Sequence, residues 1–591
     1  MSSYKKGASF LLDDVGSEEV FILEEVDEAT LALGQTAHDF IANDVLPKSD
    51  ALEKQEPGVS ISLLKKAGEI GLLMAEVPEK YNGLGLNKVA ATVLAENCTA
   101  QGSFSVTMLC HTGIGTLPIL YYGTEAQKQT YLPKLATGEF VGAYALTEAG
   151  SGSDALAAKT KAVLSADGKH YILNGEKMFI TNGAWADVIT VFAKVDGEKF
   201  TGFIVEKDMP GVTHGPEEKK MGIKGSSTTT IILQDAKVPV ENVLGQVGRG
   251  HKIAFNVLNV GRWKLGAASI GNCKNELMHA VKYVKERKQF GQPLADFELI
   301  QTKIANCAVR TFITESMMYR YAHDLDQALA TLDSNATDYY DQYLKAVEAY
   351  NIEASICKVY GSEANAFVAD EAVQMHGGYG FIQEYPIESA YRDCRITRIF
   401  EGTNEINRLL ITGTLFKRAM SGEMDLMGPI QEVIGQLKTG FTMKGEGVLA
   451  NSMNNVNQLK KLTLYISGVA VQKYMADIKD RQSFLAEIAD FIIEVYAVDS
   501  ALARTLKLLK INGQEKAAIP MAMVRTYITD KCNELVTRAK QFCANICRGD
   551  EEGFAKYEKA IDRILKPKPR DTLNFRLDIA AHCIEHDGYA L

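Results

Sequence analysis

The chain has 591 residues and a net charge of -10, and 46% of its residues are hydrophobic while 23% are charged. These proportions are typical of folded globular proteins and exclude a fibrous or disordered chain. Because a single hydrophobic core stops growing at about 250–300 residues, several domains are expected. The negative net charge argues against nucleic acid as a partner, since phosphate groups bind to basic surfaces.

The N-terminal residues and the cysteines predict a cytoplasmic protein. Asp13 and Asp14 interrupt the short apolar run near the N-terminus, so no signal peptide is predicted. No stretch of about eighteen apolar residues runs without a charge, so no transmembrane helix is predicted. The ten cysteines lack the paired spacings of a disulfide framework or a zinc ribbon, which favours reduced thiols.

The first half of the chain changes from helical to strand-like texture. Residues 1–25 are predicted as an N-terminal extension, and residues 26–142 as an α-helical domain because apolar residues recur there at helical spacing. Residues 143–250 contain runs rich in Val, Ile, Thr and Tyr, which favour strands. Three dipeptides that tolerate positive φ are interpreted as hairpin turns: Asp167-Gly168, Asn174-Gly175 and Asp196-Gly197. The middle domain is therefore predicted to be antiparallel and barrel-like.

The second half of the chain is predicted to be helical again. Residues 251–415 have helical periodicity over long segments and are interpreted as an α-helical bundle. Residues 416–447 are rich in Gly and Met, which suits a linker, and residues 448–591 form an additional amphipathic helical block. The predicted fold class is therefore mainly α with a central β-domain.

Glycine-rich loops and Cys/His pairs give little chemical information by themselves. The loops at residues 149–155, 245–250 and 376–380 have neither the spacing of a Walker phosphate loop nor that of a strand–loop–helix dinucleotide fingerprint. Two C-terminal clusters of cysteines and histidines have members one helical turn apart, which could suit a metal: Cys543 and Cys547, and His582, Cys583 and His586. No second ligand pair has matching spacing. Core or surface helix positions are favoured, and no metal site is predicted.

Several longer motifs, in order and spacing, resemble the acyl-CoA dehydrogenase family. They are ALTEAGSGSDA (145–155), KMFITNG (177–183), KMGIKGSSTTTIILQDAKVPVENVLG (220–245), NVGRW (259–263), RKQFGQPLADF (287–297), QMHGGYGFIQE (374–384) and YRDCRITRIFEGTNEINR (391–408). The resemblance covers about residues 25 to 415, and the additional C-terminal block makes the very-long-chain type the nearest relative. The family fold has the same α, β, α order that the periodicity predicts.

The resemblance implies flavin adenine dinucleotide (FAD) as the cofactor. The β-domain residues implied to hold it are Tyr144, Leu146, Thr147, Ser153, Phe179 and Thr181. In the family a neighbouring subunit completes the adenine and pyrophosphate end of the cofactor. The residues here that match this second group are Arg287, Phe290, Gln374 and Gly378. The resemblance also implies a contact of Thr403 with the adenosine side. A homodimer or homotetramer is therefore expected. Hydroxyl and backbone N–H groups suit the flavin edge because they hydrogen-bond without adding charge.

The resemblance points to Glu401 as the catalytic base that removes a proton next to a thioester carbonyl. Such a base needs an apolar pocket that raises its pKa toward roughly 6 or 7, and Ile399 and Phe400 are expected to shield it. Some family members place the base immediately before the arginine that is here Arg262, but that position is Gly261. The implied substrate contacts are Ser153, Arg262, Phe400 and Gly402.

The resemblance implies α,β-dehydrogenation of saturated acyl-CoA in fatty acid β-oxidation, with electrons passed to an electron-transfer flavoprotein. Two alternatives stay open: an acyl-CoA oxidase that uses oxygen, and an assembly protein of the same fold. The additional helical block favours long acyl chains, with residues 105–110 and Tyr121 lining the acyl pocket. A peripheral membrane contact through that block is a further expectation.

Overall fold

A computed structural model describes residues 7–16 and 20–591. The N-terminal helical domain contains seven helices: α1 (Glu28–Phe40), α2 (Ser49–Glu53), α3 (Val59–Glu69), α4 (Lys88–Asn97), α5 (Gly102–Cys110), α6 (Leu117–Tyr122) and α7 (Glu125–Thr137). Side-chain caps begin several of them, as where Asp27 accepts the Thr30 N–H and Thr124 accepts the Gln127 N–H. The predicted helical texture of this region is confirmed.

One helical stretch in the described residues, 102–122, is long and apolar enough to cross a membrane by length and composition. It comprises α5, a π-helical turn and α6, and 78% of its most apolar window is buried inside the protein. That burial is typical of a core helix, and the stretch packs against the sheet and the following helices.

The central sheet has eight strands: β1 (Gly142–Ala145), β2 (Lys161–Leu164), β3 (His170–Thr181), β4 (Val188–Val195), β5 (Lys199–Glu206), β6 (Val212–His214), β7 (Thr228–Pro239) and β8 (Val243–Leu244). The main path runs β6-β7-β3-β2-β4-β5-β8, and β1 pairs with β4. The fold class is confirmed, but the antiparallel, barrel-like prediction is wrong in part. β1 and β2 both pair with β4 in parallel, so the sheet is mixed, and no pairing among the described residues joins its ends.

Two of the three predicted hairpins are present. Asp167-Gly168 joins β2 to β3 and Asp196-Gly197 joins β4 to β5, each as an antiparallel pair. Asn174-Gly175 is not a turn, because β3 continues through it with a shift of register against β7. Between the pairs Leu173–Ala236 and Gly175–Leu233, β7 has one residue more than β3, which is a β-bulge, and Gly175 has a positive φ opposite it. The hairpin prediction there is wrong because a bulge requires the same backbone freedom as a turn.

The second helical domain is built around two long helices that pack against each other, residues 250–286 and 351–376. Its helices are α8 (Gly250–Glu286), α9 (Glu298–Leu329), α10 (Tyr339–Ala349), α11 (Asn351–His376), α12 (Pro386–Cys394) and α13 (Asn404–Ser421), with a small hairpin of β9 (Lys288–Gln289) and β10 (Gln292–Pro293) after α8. The helix α8 packs against α4, α9 and α11. The helix α8 thus contacts both helical domains, and one of its faces lines a cavity next to the sheet domain.

The C-terminal part contains α14 (Met427–Thr439), α15 (Ala450–Tyr474), α16 (Gln482–Lys516), α17 (Ala518–Cys547), α18 (Glu551–Ile564) and α19 (Leu573–Glu585). The predicted linker at 416–447 therefore carries a helix, and α14 buries Ile430 and Val433 against α15. The Gly-rich flanks obscured its amphipathic pattern. The predicted domain boundaries stay predictions.

The C-terminal block is joined to the rest of the chain by buried charges. Arg504 of α16 lies 2.6 Å from Glu315 of α9 and 2.6 Å from Glu24 of the N-terminal extension. The extension also buries Phe10 and Ile22 in the main core. Since breaking a buried ion pair leaves an uncompensated charge, these contacts fix the block to α9 rather than leaving it as a loose appendage.

Candidate active site

A cavity of about 640 Å³ lies between α5, α8 and the segment after α12. One face of α8 lines its length with residues three or four apart: Gly261, Leu265, Ala268, Asn272, Glu276 and His279. This spacing places all six on the same side of the helix. From α5 the wall is formed by Ser105, Val106, Leu109 and Cys110, as expected for residues 105–110, whereas the expected Tyr121 packs against Tyr343 and does not line the cavity.

Glu401 lies at the Gly261 end of this cavity, in a strained turn that precedes α13. Its φ is 57°, a left-handed value that is uncommon for residues other than glycine, and Gly402 follows with φ 80°. Strain of this kind persists only where the surroundings fix the backbone, and it is frequent at functional sites. The turn presents the Glu401 side chain toward α8.

Three side chains hold the carbonyl groups of the turn. Arg262 Nε donates to the Glu401 carbonyl at 3.2 Å, and Lys358 Nζ donates to the Gly402 carbonyl at 2.8 Å. Asn407 Nδ2 also donates to the Gly402 carbonyl at 2.8 Å. All three side chains are buried, so each replaces water as the donor and keeps the strained backbone in place.

Gly261 lets the Glu401 carboxylate lie directly against α8. A Cβ atom at Gly261 would stand 2.5 Å from Glu401 Oε2 and 2.8 Å from its Cδ. Contacts this short do not occur between real atoms, so any larger residue would displace the carboxylate. The glycine at the alternative base position therefore leaves space for the Glu401 carboxylate, in addition to carrying no second carboxylate.

The environment of Glu401 leaves it able to act as a base near neutral pH. Burial raises the pKa of Glu401 to about 7, while the positive charges of Arg262 and Lys358 act in the opposite direction. Its Oε2 atom is buried without a hydrogen-bond partner among the described residues. A carboxylate without strong donors is poorly stabilised when ionised, which makes it a stronger proton acceptor.

The expected shielding of Glu401 is only partly correct. Phe400 lines the cavity, but Ile399 is 48% exposed and does not cover the carboxylate, so that part of the prediction is wrong. The 3-10 turn before it directs Ile399 outward, and the sequence pattern does not show this direction. Cys110 and Tyr144 lie close enough for the Glu401 charge to raise their pKa values further, so they form part of its surroundings.

Lys358 is the residue near Glu401 that sequence reasoning missed. It lies on α11, is fully buried, and donates to Asn404 Oδ1 at 2.7 Å as well as to the turn. Burial lowers the pKa of Lys358 to about 7, against the opposite effect of Glu401. A lysine in the apolar run SICKVYG was the available signal, since an unpaired buried charge is costly and calls for a partner.

The β-domain candidates lie on two segments that meet. β1 and β2 pair in parallel with successive parts of β4. The residues between them, 146–160, therefore form an excursion out of the sheet. This excursion carries Leu146, Thr147 and Ser153. The β3 ladder shifts register between Lys177 and Ile180, and Met178 N–H donates to the Thr147 carbonyl at 2.8 Å. The irregular backbone therefore brings the two predicted flavin segments together.

The individual positions of these candidates differ in exposure. Leu146 and Tyr144 are buried, Thr147 is half-buried, and Ser153 is exposed on the loop. Phe179 is 60% exposed and has φ 58°, so an aromatic ring is held outward at a strained position. Thr181 lines the same cavity as Glu401. This places the β-domain group beside the catalytic candidate.

The second predicted cofactor group lies elsewhere on the chain, and none of its four residues lines the cavity. Phe290 is 94% exposed at the tip of the β9–β10 hairpin, and the Arg287 guanidinium lies 5.5 Å from the ring of Tyr379. Gln374, near the end of α11, and Gly378 are also exposed. The hairpin and the glycine-rich turn thus present one outward surface on the protomer.

The remaining predicted contacts have structural partners. Arg262 is buried and donates to Asn259 Oδ1 at 2.6 Å in addition to the Glu401 carbonyl. A Cβ atom built at Gly402 would lie 3.7 Å from the Arg262 guanidinium. Thr403 caps α13, where its hydroxyl oxygen accepts the Ile406 N–H at 3.2 Å. Arg262 therefore acts on the Glu401 turn itself.

No metal-binding group is present in residues 7–16 and 20–591, taking three or more His, Cys, Asp or Glu side chains as the minimum. His582 instead bonds the Ala590 carbonyl and His586 bonds the His582 carbonyl, both at 2.8 Å. The ten cysteines all lie in the described part of the chain and are free thiols.

A sheet domain held between two helical domains, with a buried glutamate of raised pKa against a long cavity, is the arrangement of an enzyme that abstracts a proton from its substrate. Profiles described as acyl-CoA dehydrogenase N-terminal, middle and C-terminal domain match residues 27–139, 143–236 and 248–416. A further profile described as acyl-CoA dehydrogenase, C-terminal domain, matches residues 458–555. The chain belongs to the acyl-CoA dehydrogenase family.

Individual relatives cover nearly the whole chain. A protein of Bacillus subtilis (strain 168) named "Probable acyl-CoA dehydrogenase" is 44% identical over 99% of both chains. The very long-chain specific acyl-CoA dehydrogenase, mitochondrial, of Homo sapiens is 38% identical over 78% of this chain and 72% of its own.

Two solved structures show the same relation. A crystal structure of an acyl-CoA dehydrogenase complexed with FAD from Bacillus anthracis has TM-score 0.97 and 45% identity, covering 99% of this chain and 100% of its own. A chain from the structure "Electron transferring flavoprotein of Acidaminococcus fermentans: Towards a mechanism of flavin-based electron bifurcation" has TM-score 0.60 and 34% identity, covering 66% and 98%. The second likeness stops short of the additional C-terminal helices.

Proposed function

We propose that this chain is an FAD-dependent dehydrogenase that converts long-chain saturated acyl-CoA to trans-2-enoyl-CoA in fatty acid β-oxidation. The observation that carries the proposal is the Glu401 carboxylate, buried against Gly261 at one end of a long cavity and with its pKa raised to about 7. A group with this pKa is ionised in part at neutral pH, yet it is basic enough to accept a carbon-bound proton.

The chain's own residues perform the proton transfer. Glu401 removes the proton from the carbon next to the thioester carbonyl, while Arg262, Lys358 and Asn407 keep its turn fixed through the bonds described above. Such fixation keeps the carboxylate within reach of the substrate, which is a large part of the catalytic effect of positioned groups.

Negative charge develops on the thioester oxygen as the proton leaves. The Glu401 N–H donates to no other group among the described residues, so it is free to donate to that oxygen. A fixed N–H aimed at a developing oxyanion stabilises it without further reorganisation. The strained φ of Glu401 thus serves both its side chain and its backbone.

FAD fits the donors at the meeting of the two β-domain segments. Neutral hydroxyl groups of Thr147 and Thr181, main-chain groups of the 146–160 excursion and the outward ring of Phe179 form this surface, and the nearby Glu148 carboxylate is paired with Lys177 at 2.7 Å. When bound, FAD supplies the acceptor for the hydride that leaves the β-carbon of the substrate.

The outward surface around Arg287 and Phe290 supports a homo-oligomer. An aromatic ring exposed to 94% is unusual unless a partner covers it, and Arg287 offers several donors to a phosphate oxygen. We infer that a second copy of the chain places this surface over the distal part of the cofactor. The electron-transfer flavoprotein as acceptor and a cytoplasmic location rest on the family resemblance and on the sequence pattern.

Long chains are favoured by the length of the cavity along α8. Gly261 and His279 are eighteen residues apart and both line it, which corresponds to about 27 Å at about 1.5 Å per helical residue. A short acyl group would leave most of this space without contacts. The test is anaerobic flavin reduction by a series of acyl-CoA substrates from butanoyl to octadecanoyl.

In that test, wild-type enzyme is expected to reduce its flavin fastest with chains of fourteen carbons or more. Glu401→Gln is expected to slow reduction by at least about 10²–10⁴-fold, because a positioned general base contributes that much. Glu405→Gln is the matched control, since Glu405 is exposed and lies four residues away in α13.

Reduction of Glu401→Gln at the wild-type rate would refute the proposal. Admitting air after reduction separates the alternatives: a dehydrogenase stays reduced until an electron-transfer flavoprotein is added, and an oxidase is reoxidised at once. A flavin that no acyl-CoA reduces would instead support the assembly role.

A further inference from the structure

On the α8 face the far half of the cavity is polar, whereas the half near Glu401 carries Leu265, Ala268 and Lys264, which is ion-paired with Glu76. On the α8 face, Leu265 and Ala268 give way to Asn272, Glu276 and His279, all of which line the cavity. On the facing helix α11, Asn365 also lines it. A pocket for a plain hydrocarbon chain gains nothing from these groups, because each loses hydration when an apolar chain covers it.

Glu276 and Asn365 form the centre of this polar region. Asn365 Nδ2 donates to Glu276 Oε1 at 2.7 Å, and both side chains are almost fully buried. The other oxygen of each, Glu276 Oε2 and Asn365 Oδ1, has no hydrogen-bond partner among the described residues. Each of these two residues thus lines the cavity and keeps one buried oxygen with unused hydrogen-bonding capacity.

The protonation of Glu276 determines what this pair can bind. No basic side chain among the described residues forms an ion pair with it, and burial raises its pKa well above the ordinary value, partly offset by the bond from Asn365. Burial therefore favours the protonated form of Glu276, whose hydroxyl can donate, while Asn365 Oδ1 can accept. A hydroxyl group, which both accepts and donates, matches this pair.

We propose that Glu276 and Asn365 form a subsite for the terminal hydroxyl group of a long ω-hydroxyacyl-CoA substrate. The inference rests on the proposed function and extends it from chain length to the chemistry of the chain end. A terminal carboxylate fits less well, because no cation balances its charge beside Glu276.

The distance along α8 sets the chain length. Gly261, which touches the Glu401 carboxylate, and Glu276 are fifteen residues apart, or about 22 Å at about 1.5 Å per helical residue. With carbon–carbon bonds of about 1.5 Å, an extended chain of roughly sixteen to eighteen carbons covers that distance. A hydroxyl on the last carbon of such a chain would reach the Glu276–Asn365 pair while its carbonyl end stays at Glu401.

The test compares hexadecanoyl-CoA, ω-hydroxyhexadecanoyl-CoA and hexadecanedioyl-CoA as reductants of the flavin in the holoenzyme. Wild type is expected to prefer the hydroxy substrate over hexadecanoyl-CoA by roughly tenfold in kcat/KM, the effect of about 1.4 kcal/mol of hydrogen bonding. Glu276→Leu is expected to lose this preference. Glu276→Gln is expected to keep it, because an amide N–H replaces the acid hydroxyl as donor.

Glu353→Leu is the matched control for the loss of a buried carboxylate. Glu353 lies on α11, accepts the Ala8 N–H and does not line the cavity, so the preference should survive its replacement. An unchanged preference in Glu276→Leu, or a better rate with hexadecanedioyl-CoA than with the hydroxy substrate, would overturn the inference. If no thioester reduces the flavin, the proposed function itself fails, which is a distinguishable result.

Discussion

The two ends of the cavity each carry a buried glutamate, but the two differ in their charged neighbours. Burial raises the pKa of both carboxyl groups, yet Glu401 has Arg262 and Lys358 beside it, whereas among the described residues Glu276 has the Asn365 amide as its one partner. The cations hold the pKa of Glu401 at about 7, where it can accept a proton, while the pKa of Glu276 lies well above its ordinary value, which favours its protonated form. Similar burial therefore produces a base at one end and a hydrogen-bond donor at the other.

After the loss of Glu401 itself, the largest expected effect comes from steric displacement of its carboxylate. Gly261→Ala places a Cβ 2.5 Å from Glu401 Oε2, so Glu401 must move, and a displacement of about 1 Å costs roughly 10²-fold in rate. The measurement is the rate constant of anaerobic flavin reduction by hexadecanoyl-CoA.

Gly413→Ala is its control, because no atom lies within 4 Å of a Cβ at that position of α13. Equal rates in the two variants would show that the close approach of Glu401 to α8 has no catalytic importance. The far end of the cavity should be unaffected, so the relative preference for an ω-hydroxy chain should persist in Gly261→Ala.

A smaller effect is expected when the electrostatic difference between the two ends is reduced. Lys358→Met removes a positive charge that lowers the pKa of Glu401, so that pKa rises and less of the base is ionised at pH 7. For a rise of about 0.5–1 unit, the ionised fraction of Glu401 at pH 7, and with it the reduction rate, falls roughly two- to fivefold.

The loss in Lys358→Met should largely disappear at pH 9, where Glu401 is ionised in both proteins. A loss of the same size at pH 7 and pH 9 would assign Lys358 to holding the Gly402 carbonyl only. Lys345→Met, at an exposed position of α10, serves as the control for replacing a lysine.

The sequence predicts the fold well where periodicity is long. The helical regions, the central sheet and two hairpins follow from spacing and turn dipeptides, whereas Asn174-Gly175 shows that a bulge and a turn share one local signature. The parallel pairing of β1 and β2 with β4 depends on the excursion between them, which has no local pattern. Non-local pairing of this kind is set by tertiary packing.

The candidate site is predicted only in part. Motif resemblance identifies Glu401 and Arg262, because they stand in contiguous motifs. It does not identify two residues of α11, which is far away in the chain: Lys358, which holds the Glu401 turn, and Asn365, which lines the cavity. Ile399 was expected to shield Glu401 because it is apolar, but hydropathy does not specify the direction of a side chain in a turn.

The pH dependence of flavin reduction tests the central comparison most directly. Because Glu401 must be ionised to act as the base, the rate constant with saturating hexadecanoyl-CoA should rise about tenfold per pH unit at low pH and level off above a midpoint near 7. Glu276→Gln should show the same midpoint, since Glu401 is the base and burial favours the protonated form of Glu276. A profile that is flat from pH 5.5 to 8.5, or a midpoint that moves in Glu276→Gln, would contradict the assignment of base and donor.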